Sequence, residues 1–227
     1  MLTPDDGQAI LLSLRVAAVA TLVGLPLALL AAQALVRLPP TARTLLEALV
    51  QLPLVLPPVA TGFILLLLLG RQGPLGAAFA QLGVSFVFTW TGAALASGVM
   101  AFPLMVRPIR LSIEAIDLEV GEAAVTLGAG AIVRFFRLTI PLAAPGIIAG
   151  GVLGFAKALG EFGATITLAG AIPGESLTLP AAIWGATQAP GSEGRAAALC
   201  LISAVLALGA VFVSEAVARR ASRWAKV

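Results

Sequence analysis

Residues 10–36 read Ile-Leu-Leu-Ser-Leu-Arg-Val-Ala-Ala-Val-Ala-Thr-Leu-Val-Gly-Leu-Pro-Leu-Ala-Leu-Leu-Ala-Ala-Gln-Ala-Leu-Val. Arg15 is the one charge in the run. A helix needs about 20 mostly apolar residues to cross the hydrocarbon of a bilayer, and this run exceeds that length. Working outward, four further stretches meet the same test: 45–70, 88–106, 141–169 and 196–218. Pro26 lies within the first run, and Pro53, Pro57 and Pro58 lie within the second. They predict a kink and a break. Neighbouring helices in a membrane bundle can satisfy the freed backbone groups. The fold class that follows is all-α, a polytopic membrane helical bundle of about five spans, organised as a single transmembrane domain over 1–227.

Composition agrees. The 227 residues are 59% hydrophobic and 11% charged, with a mean hydropathy of +1.05. A soluble domain is about 25% charged, so this chain has too little charge to cover itself in water. The net charge is +3. The basic residues lie in short clusters between apolar runs, which reads as membrane topology and not as nucleic-acid binding. There is no histidine and one cysteine, Cys200. That excludes a disulfide framework, a zinc cluster and a Cys-His nucleophile pair. No metal site or cofactor is expected, and Cys200 is expected to pack within the bundle. Asp5 and Asp6 stand where a cleavable signal would carry basic residues, so the first span is expected to be retained.

Orientation follows from the flanks, since cytoplasmic loops carry excess Lys and Arg. If 37–44 is cytoplasmic, so are 107–140 and the tail after 218. Those regions hold Arg37, Arg43, Arg107, Arg110, Arg134, Arg137, Arg219, Arg220, Arg223 and Lys226, ten of the fourteen basic residues. The opposite side has Arg71 and Arg195. The amino terminus is therefore expected outside and the carboxyl terminus in the cytoplasm. Trp224 is expected to be an interfacial anchor, and Arg15 to snorkel toward the outer interface.

The segment 107–140 is the longest connection between cytoplasmic span ends. Glu, Ala and Leu favour a short helix over 119–127, and Gly128 is placed to stop it. A second helical stretch fits 131–138, after which Pro141 opens the fourth span. Ala123, Ala124 and Gly128 leave a small-sided surface beside Glu122. Periodicity alone leaves two readings open, a solvated loop and a docking knob for another protein.

The residues Glu122-Ala123-Ala124, then Gly128, then Leu138-Thr139-Ile140-Pro141, resemble the EAA loop of importer-type ABC permeases. The family pattern ends Ile-x-Leu-Pro, and here the aliphatic pair is exchanged. The resemblance extends over nearly the whole chain. Leu52-Pro53-Leu54-Val55-Leu56-Pro57-Pro58-Val59, the segments 90–96 and 100–107, Gly160-Glu161-Phe162-Gly163-Ala164-Thr165-Ile166-Thr167 and Ile172-Pro173-Gly174-Glu175 are similar to the molybdate permeases of that superfamily. The resemblance implies a permease that moves molybdate or tungstate inward across the inner membrane of a bacterium or archaeon. It implies a homodimer, two copies of an ATP-binding subunit whose clefts receive the loop at 107–140, and an extracytoplasmic binding protein. Independently, the chain has no Gly-x-x-x-x-Gly-Lys-Ser/Thr loop. ATP hydrolysis is therefore expected on another polypeptide, and this chain is not expected to be an enzyme. A sulfate-type permease is the alternative within the family. An ion-coupled secondary transporter is the alternative from another class, although no inverted repeat of the kind those show is evident.

Lys157 and Glu161 are the charges nearest the middle of a span. Each such charge costs about 2.5–3.5 kcal/mol on insertion scales and usually faces the bundle interior. Spaced four apart, they fit one helix face. They read either as a mutually neutralising pair or as part of a gate or pathway, with Thr165 and Thr167 offering hydroxyls farther out. Gly150 and Gly154 have the small-xxx-small spacing of close helix packing, with a hinge as the second reading. The outer segment 170–195 reads as turns that touch a binding protein, or as a re-entrant plug.

Overall fold

The computed structural model describes the backbone of residues 3–224 and the side chains of 3–210 and 212. The side chains of Arg219, Arg220, Arg223, Trp224 and Lys226, the expected basic tail and anchor, lie outside the described residues.

Long apolar runs in lipid satisfy their backbone groups only within helices, and the described residues are helical almost throughout. The elements are α1 (Pro4–Arg37), α2 (Pro40–Val55), α3 (Pro58–Leu69), α4 (Pro74–Gln81), α5 (Trp90–Glu114), α6 (Leu118–Thr126) and α7 (Ala131–Arg134). A π-helical turn, Phe135–Thr139, leads to α8 (Ile140–Leu142), α9 (Ala144–Leu159), α10 (Gly163–Ala169), α11 (Leu179–Gln188) and α12 (Glu193–Trp224). Three unbroken helices, α1, α5 and α12, are long and apolar enough to cross a membrane. Two bent pairs bring the total to as many as five.

The boundaries differ from the hydropathy reading in informative ways. The first helix starts at Pro4, because the Asp6 carboxylate reaches back to the Thr3 N–H at 2.7 Å and holds the first turn. The second run divides at Leu56-Pro57, where α2 and α3 meet at 111°. Two successive prolines lack N–H donors and bar the preceding residues from helical geometry. The α5 helix runs on to Glu114, so residues 107–114, expected within the loop, are helical. The fourth run is α9 and α10, separated by a break at 160–162. On its amino-terminal side, Ala131–Leu142 meets α9 at 69°. Residues 170–195 carry a full helix, α11, and residues 71–87 carry α4; turn chemistry alone announced neither.

The core lies where α1, α5 and α9 meet. Ala17, Ala28 and Ala32 of α1, Met105 and Ile109 of α5, and Ala158 of α9 are buried together. Between α5 and α9 a row of glycines sets the spacing. A Cβ at Gly150 would lie 2.7 Å from the Met105 carbonyl oxygen. One at Gly154 would lie 2.5 Å from the Met105 side chain, and one at Gly146 would collide with Ser112 and the Pro108 carbonyl. These glycines are packing contacts, as the small-xxx-small spacing suggests. The same device joins α3 to α10: a Cβ at Gly62 would lie 2.7 Å from the Ala164 carbonyl oxygen.

The outward faces are apolar: Leu22, Val23 and Leu30 on α1, Leu201, Leu208 and Phe212 on α12. Cys200 is exposed on α12, contrary to the expected packing role. In lipid an apolar side chain gains no hydrophobic advantage by turning inward, so apolarity of a run does not imply burial within the chain.

Candidate coupling and pathway sites

The segment from Asp117 to Pro141 folds as expected at its start. Asp117 caps α6 by accepting the Glu119 N–H at 2.9 Å. At the far end Gly128 adopts φ +79°, a conformation that favours glycine. Its N–H donates to the Val125 carbonyl at 2.9 Å, and Ala129 N–H donates to the Ala124 carbonyl at 2.9 Å. No residue of α6 is buried. Glu122, Ala123 and Gly128 are exposed, Ala124 is half-buried and Pro141 is exposed. Leu118 and Leu127 are 82% and 88% exposed, and Ile132 and Phe136 extend the apolar surface beyond α6. This is a protruding knob whose apolar residues point away from its own chain. A shallow depression lined by Ile116, Val120, Leu142 and Pro145 marks where the knob meets the start of α9.

Beneath it an ion-pair network ties α2 to α5. Arg43 reaches Glu114 at 2.8 Å, while Arg110 reaches Glu47 at 2.8 Å and Glu114 at 2.9 Å. In the sequence these arginines stand out only as markers of topology. The Arg110–Glu114 spacing of four was the available signal.

Lys157 and Glu161 do meet, at 2.5 Å, but not as neighbours on one continuous helix face. The α9 helix ends at Leu159 and Glu161 lies in the break before α10. Gly160 and Gly163, poor helix formers, flank that break. The Glu161 carboxylate is 1% exposed and the Lys157 side chain 28%. One carboxylate oxygen takes the ammonium and the other accepts the Ala164 N–H at 3.0 Å. Glu161 thus joins the end of α9 to the start of α10. The Thr165 hydroxyl donates to the Phe162 carbonyl at 2.8 Å, and that of Thr167 to Gly163 at 2.8 Å. A hydroxyl has one proton, so both are engaged with their own backbone here.

At the other end of the bundle, Arg195 grips Asp6 with contacts of 2.6, 3.0 and 3.2 Å. Asp6 is fully buried. The Ser13 hydroxyl accepts the Leu179 N–H at 2.6 Å and so holds the first turn of α11 against α1. Neither contact has a local sequence signature. Arg15 is exposed, and its guanidinium lies 3.7 Å from the Trp90 ring centroid.

Residues 24–223, which contain the EAA spacing, the α9–α10 break and four of the five apolar runs entire, match the model of the "binding-protein-dependent transport system inner membrane component" family. The chain belongs to this family. It is a multi-pass membrane permease. The chain is 49% identical over 220 residues to the molybdenum transport system permease protein of Escherichia coli K12, covering 96% of each. It is 49% identical over 214 residues to the corresponding Haemophilus influenzae protein, covering 94% of this chain and 93% of that one. Among solved structures, a bacterial ABC transporter that imports the acidic polysaccharide alginate superimposes with a TM-score of 0.76 at 20% identity, over 96% of this chain and 80% of that one. At that identity the likeness shows the fold alone.

Proposed function

We propose that this chain is the membrane-spanning subunit of an ABC importer that moves molybdate or tungstate into the cytoplasm of a bacterium or archaeon through its inner membrane. The observation that carries the reading is identity of 49% across nearly the full length of a molybdenum permease. The ion-coupled alternative has no comparable support.

In this reading two copies of the chain form the pathway, because five spans are few to enclose one. Two ATP-binding subunits dock on the cytoplasmic side, each receiving α6. Glu122 meets a basic group there, and Ala123, Ala124 and Gly128 let the partner backbone approach. Closure of the ATP-binding subunits moves α6, and Pro141 and the π turn pass that motion to α9. An extracytoplasmic binding protein delivers the anion near α11 and the turn at Pro173-Gly174-Glu175.

Lys157 supplies a partly accessible cation at membrane depth, and Glu161 offsets it so that a dianion is attracted but released. Because Glu161 also holds the start of α10, motion of α9 relative to α10 changes how far the ammonium is neutralised. The same motion would free the Thr165 and Thr167 hydroxyls from their carbonyls.

Uptake of radiolabelled molybdate into vesicles containing permease, ATP-binding subunit and binding protein tests this reading. Tungstate should compete at comparable concentration and sulfate poorly. Lys157→Met should lower uptake at least about tenfold, the loss expected when about 1.4 kcal/mol of anion stabilisation disappears. Unchanged uptake and ATPase activity in that variant would remove Lys157 from the pathway.

A further inference from the structure

Between α1, α2 and α5 runs an open groove of about 770 Å³ that none of the roles above employs. Val23, Leu27, Leu49, Trp90, Val99 and Phe102 are among its walls, and Thr91 is its one residue with a polar side chain besides the Trp90 indole. From Trp90 to Phe102 the groove follows α5 for about 18 Å at 1.5 Å per residue. One leaflet of a bilayer is about 15 Å of hydrocarbon. The groove therefore has the length and polarity of a single acyl chain.

Its mouth is marked by charge. Counting about 20 residues back along α1 from Val36, the last residue before Arg37, reaches the opposite edge of the hydrocarbon near Val16. Arg15 stands at that edge, one turn before Val19, which lines the groove. Its guanidinium lies over Trp90, the wall residue at the same end. Arg15 is exposed and forms no salt bridge among the described residues. The nearby carboxylate of Glu175 accepts the Trp90 N–H at 3.4 Å and makes no ion pair with Arg15. A cation fixed at headgroup depth above an apolar slot is complementary to a phosphodiester with a hydrocarbon tail. A helix from a second copy would cover the walls but leave the guanidinium without an anion.

We propose that this groove binds an anionic phospholipid, one acyl chain lying along α5 and the phosphate at Arg15. Trp90 orients the guanidinium from beneath and borders the chain below it.

The test uses the full chain in vesicles of equal parts phosphatidylcholine and phosphatidylglycerol. With Trp184→Phe and Trp224→Phe, Trp90 is the one remaining indole of three. Bromine is placed on the acyl chains of one lipid or the other, and quenching of Trp90 is measured. Brominated phosphatidylglycerol should bind near Trp90 about fivefold more favourably than brominated phosphatidylcholine, the preference one basic residue gives near a surface. Arg15→Gln should bring the ratio close to one, and Arg15→Lys should keep it. Val23→Phe, at a position 61% exposed, narrows the groove and should reduce quenching by both lipids. Equal quenching in the Arg15 chain, a preference that survives Arg15→Gln, or quenching unaffected by Val23→Phe would overturn the proposal. Absence of quenching by either lipid would also overturn it, by showing the groove covered with protein.

Discussion

Two buried acids carry contacts that hold separate helices together. Glu161 is bound by Lys157 and by the Ala164 N–H; Asp6 is bound by Arg195 and by the Thr3 N–H. Removing one member of a buried pair strands the other charge, at a cost of about 3–5 kcal/mol. Arg195→Ala should therefore lower the stability of the purified permease by an amount of that order in reversible unfolding. Asp6→Asn combined with it should recover much of the loss, since the stranded carboxylate is gone; additive losses would show that the two residues act separately. These pairs differ in how far sequence revealed them. The Lys157–Glu161 spacing pointed to a contact, yet the periodicity implied one helix face and missed the break between them. Glycines at 160 and 163 permit that break without requiring it. The Asp6–Arg195 pair spans 189 positions, and no local pattern encodes a contact of that separation.

At the scale of elements, helix contacts depend on glycines whose missing Cβ atoms let backbones touch. Gly150→Val should disrupt α5 against α9, because the obstructing atom is the Met105 carbonyl oxygen, which cannot rotate away. A loss of about 1–3 kcal/mol is expected from overpacking, read as a lower melting temperature in detergent. A variant as stable as the parent would mean that the helices can separate at little cost, as a hinge would. Gly128 works differently. A Cβ there meets nothing within 4 Å, but φ is +79°. Gly128→Val should cost about 1–3 kcal/mol of local strain, distorting the end of α6 while the melting of the bundle stays unchanged. Loss of molybdate-dependent ATPase stimulation with a normal melting curve is the expected outcome. The end of α6 was legible because a stop is local chemistry, Gly128 after the last turn; its start was legible only through helix propensity, and the Asp117 cap emerged with the structure. The 111° angle between α2 and α3 was legible only as a break, since Pro57 and Pro58 end a helix without saying where the chain goes next. The α11 helix was missed because its ten residues lie between turn-rich segments and are too few to register as a span.

Across the described residues the molecule is a bundle with an inner core of small residues and an apolar exterior, carrying an exposed knob at the end proposed above to be cytoplasmic. Hydropathy revealed the bundle because a bilayer rewards unbroken apolar length. It did not reveal which faces pack together, because lipid and protein interior are equally apolar; Cys200, expected inside and found outside, shows the consequence. The central claim is that ATP hydrolysed on a separate subunit drives this bundle through α6. The most direct test is ATP-driven molybdate uptake in sealed vesicles containing the parent permease or Ala124→Trp, together with the ATP-binding subunit and binding protein. The indole would hold the partner away from α6 without touching the core. The account predicts uptake for the parent only when the ATP-binding subunit and ATP are present, and loss of uptake for Ala124→Trp although the permease remains folded. Uptake by the permease alone, or undiminished uptake by Ala124→Trp, would contradict it.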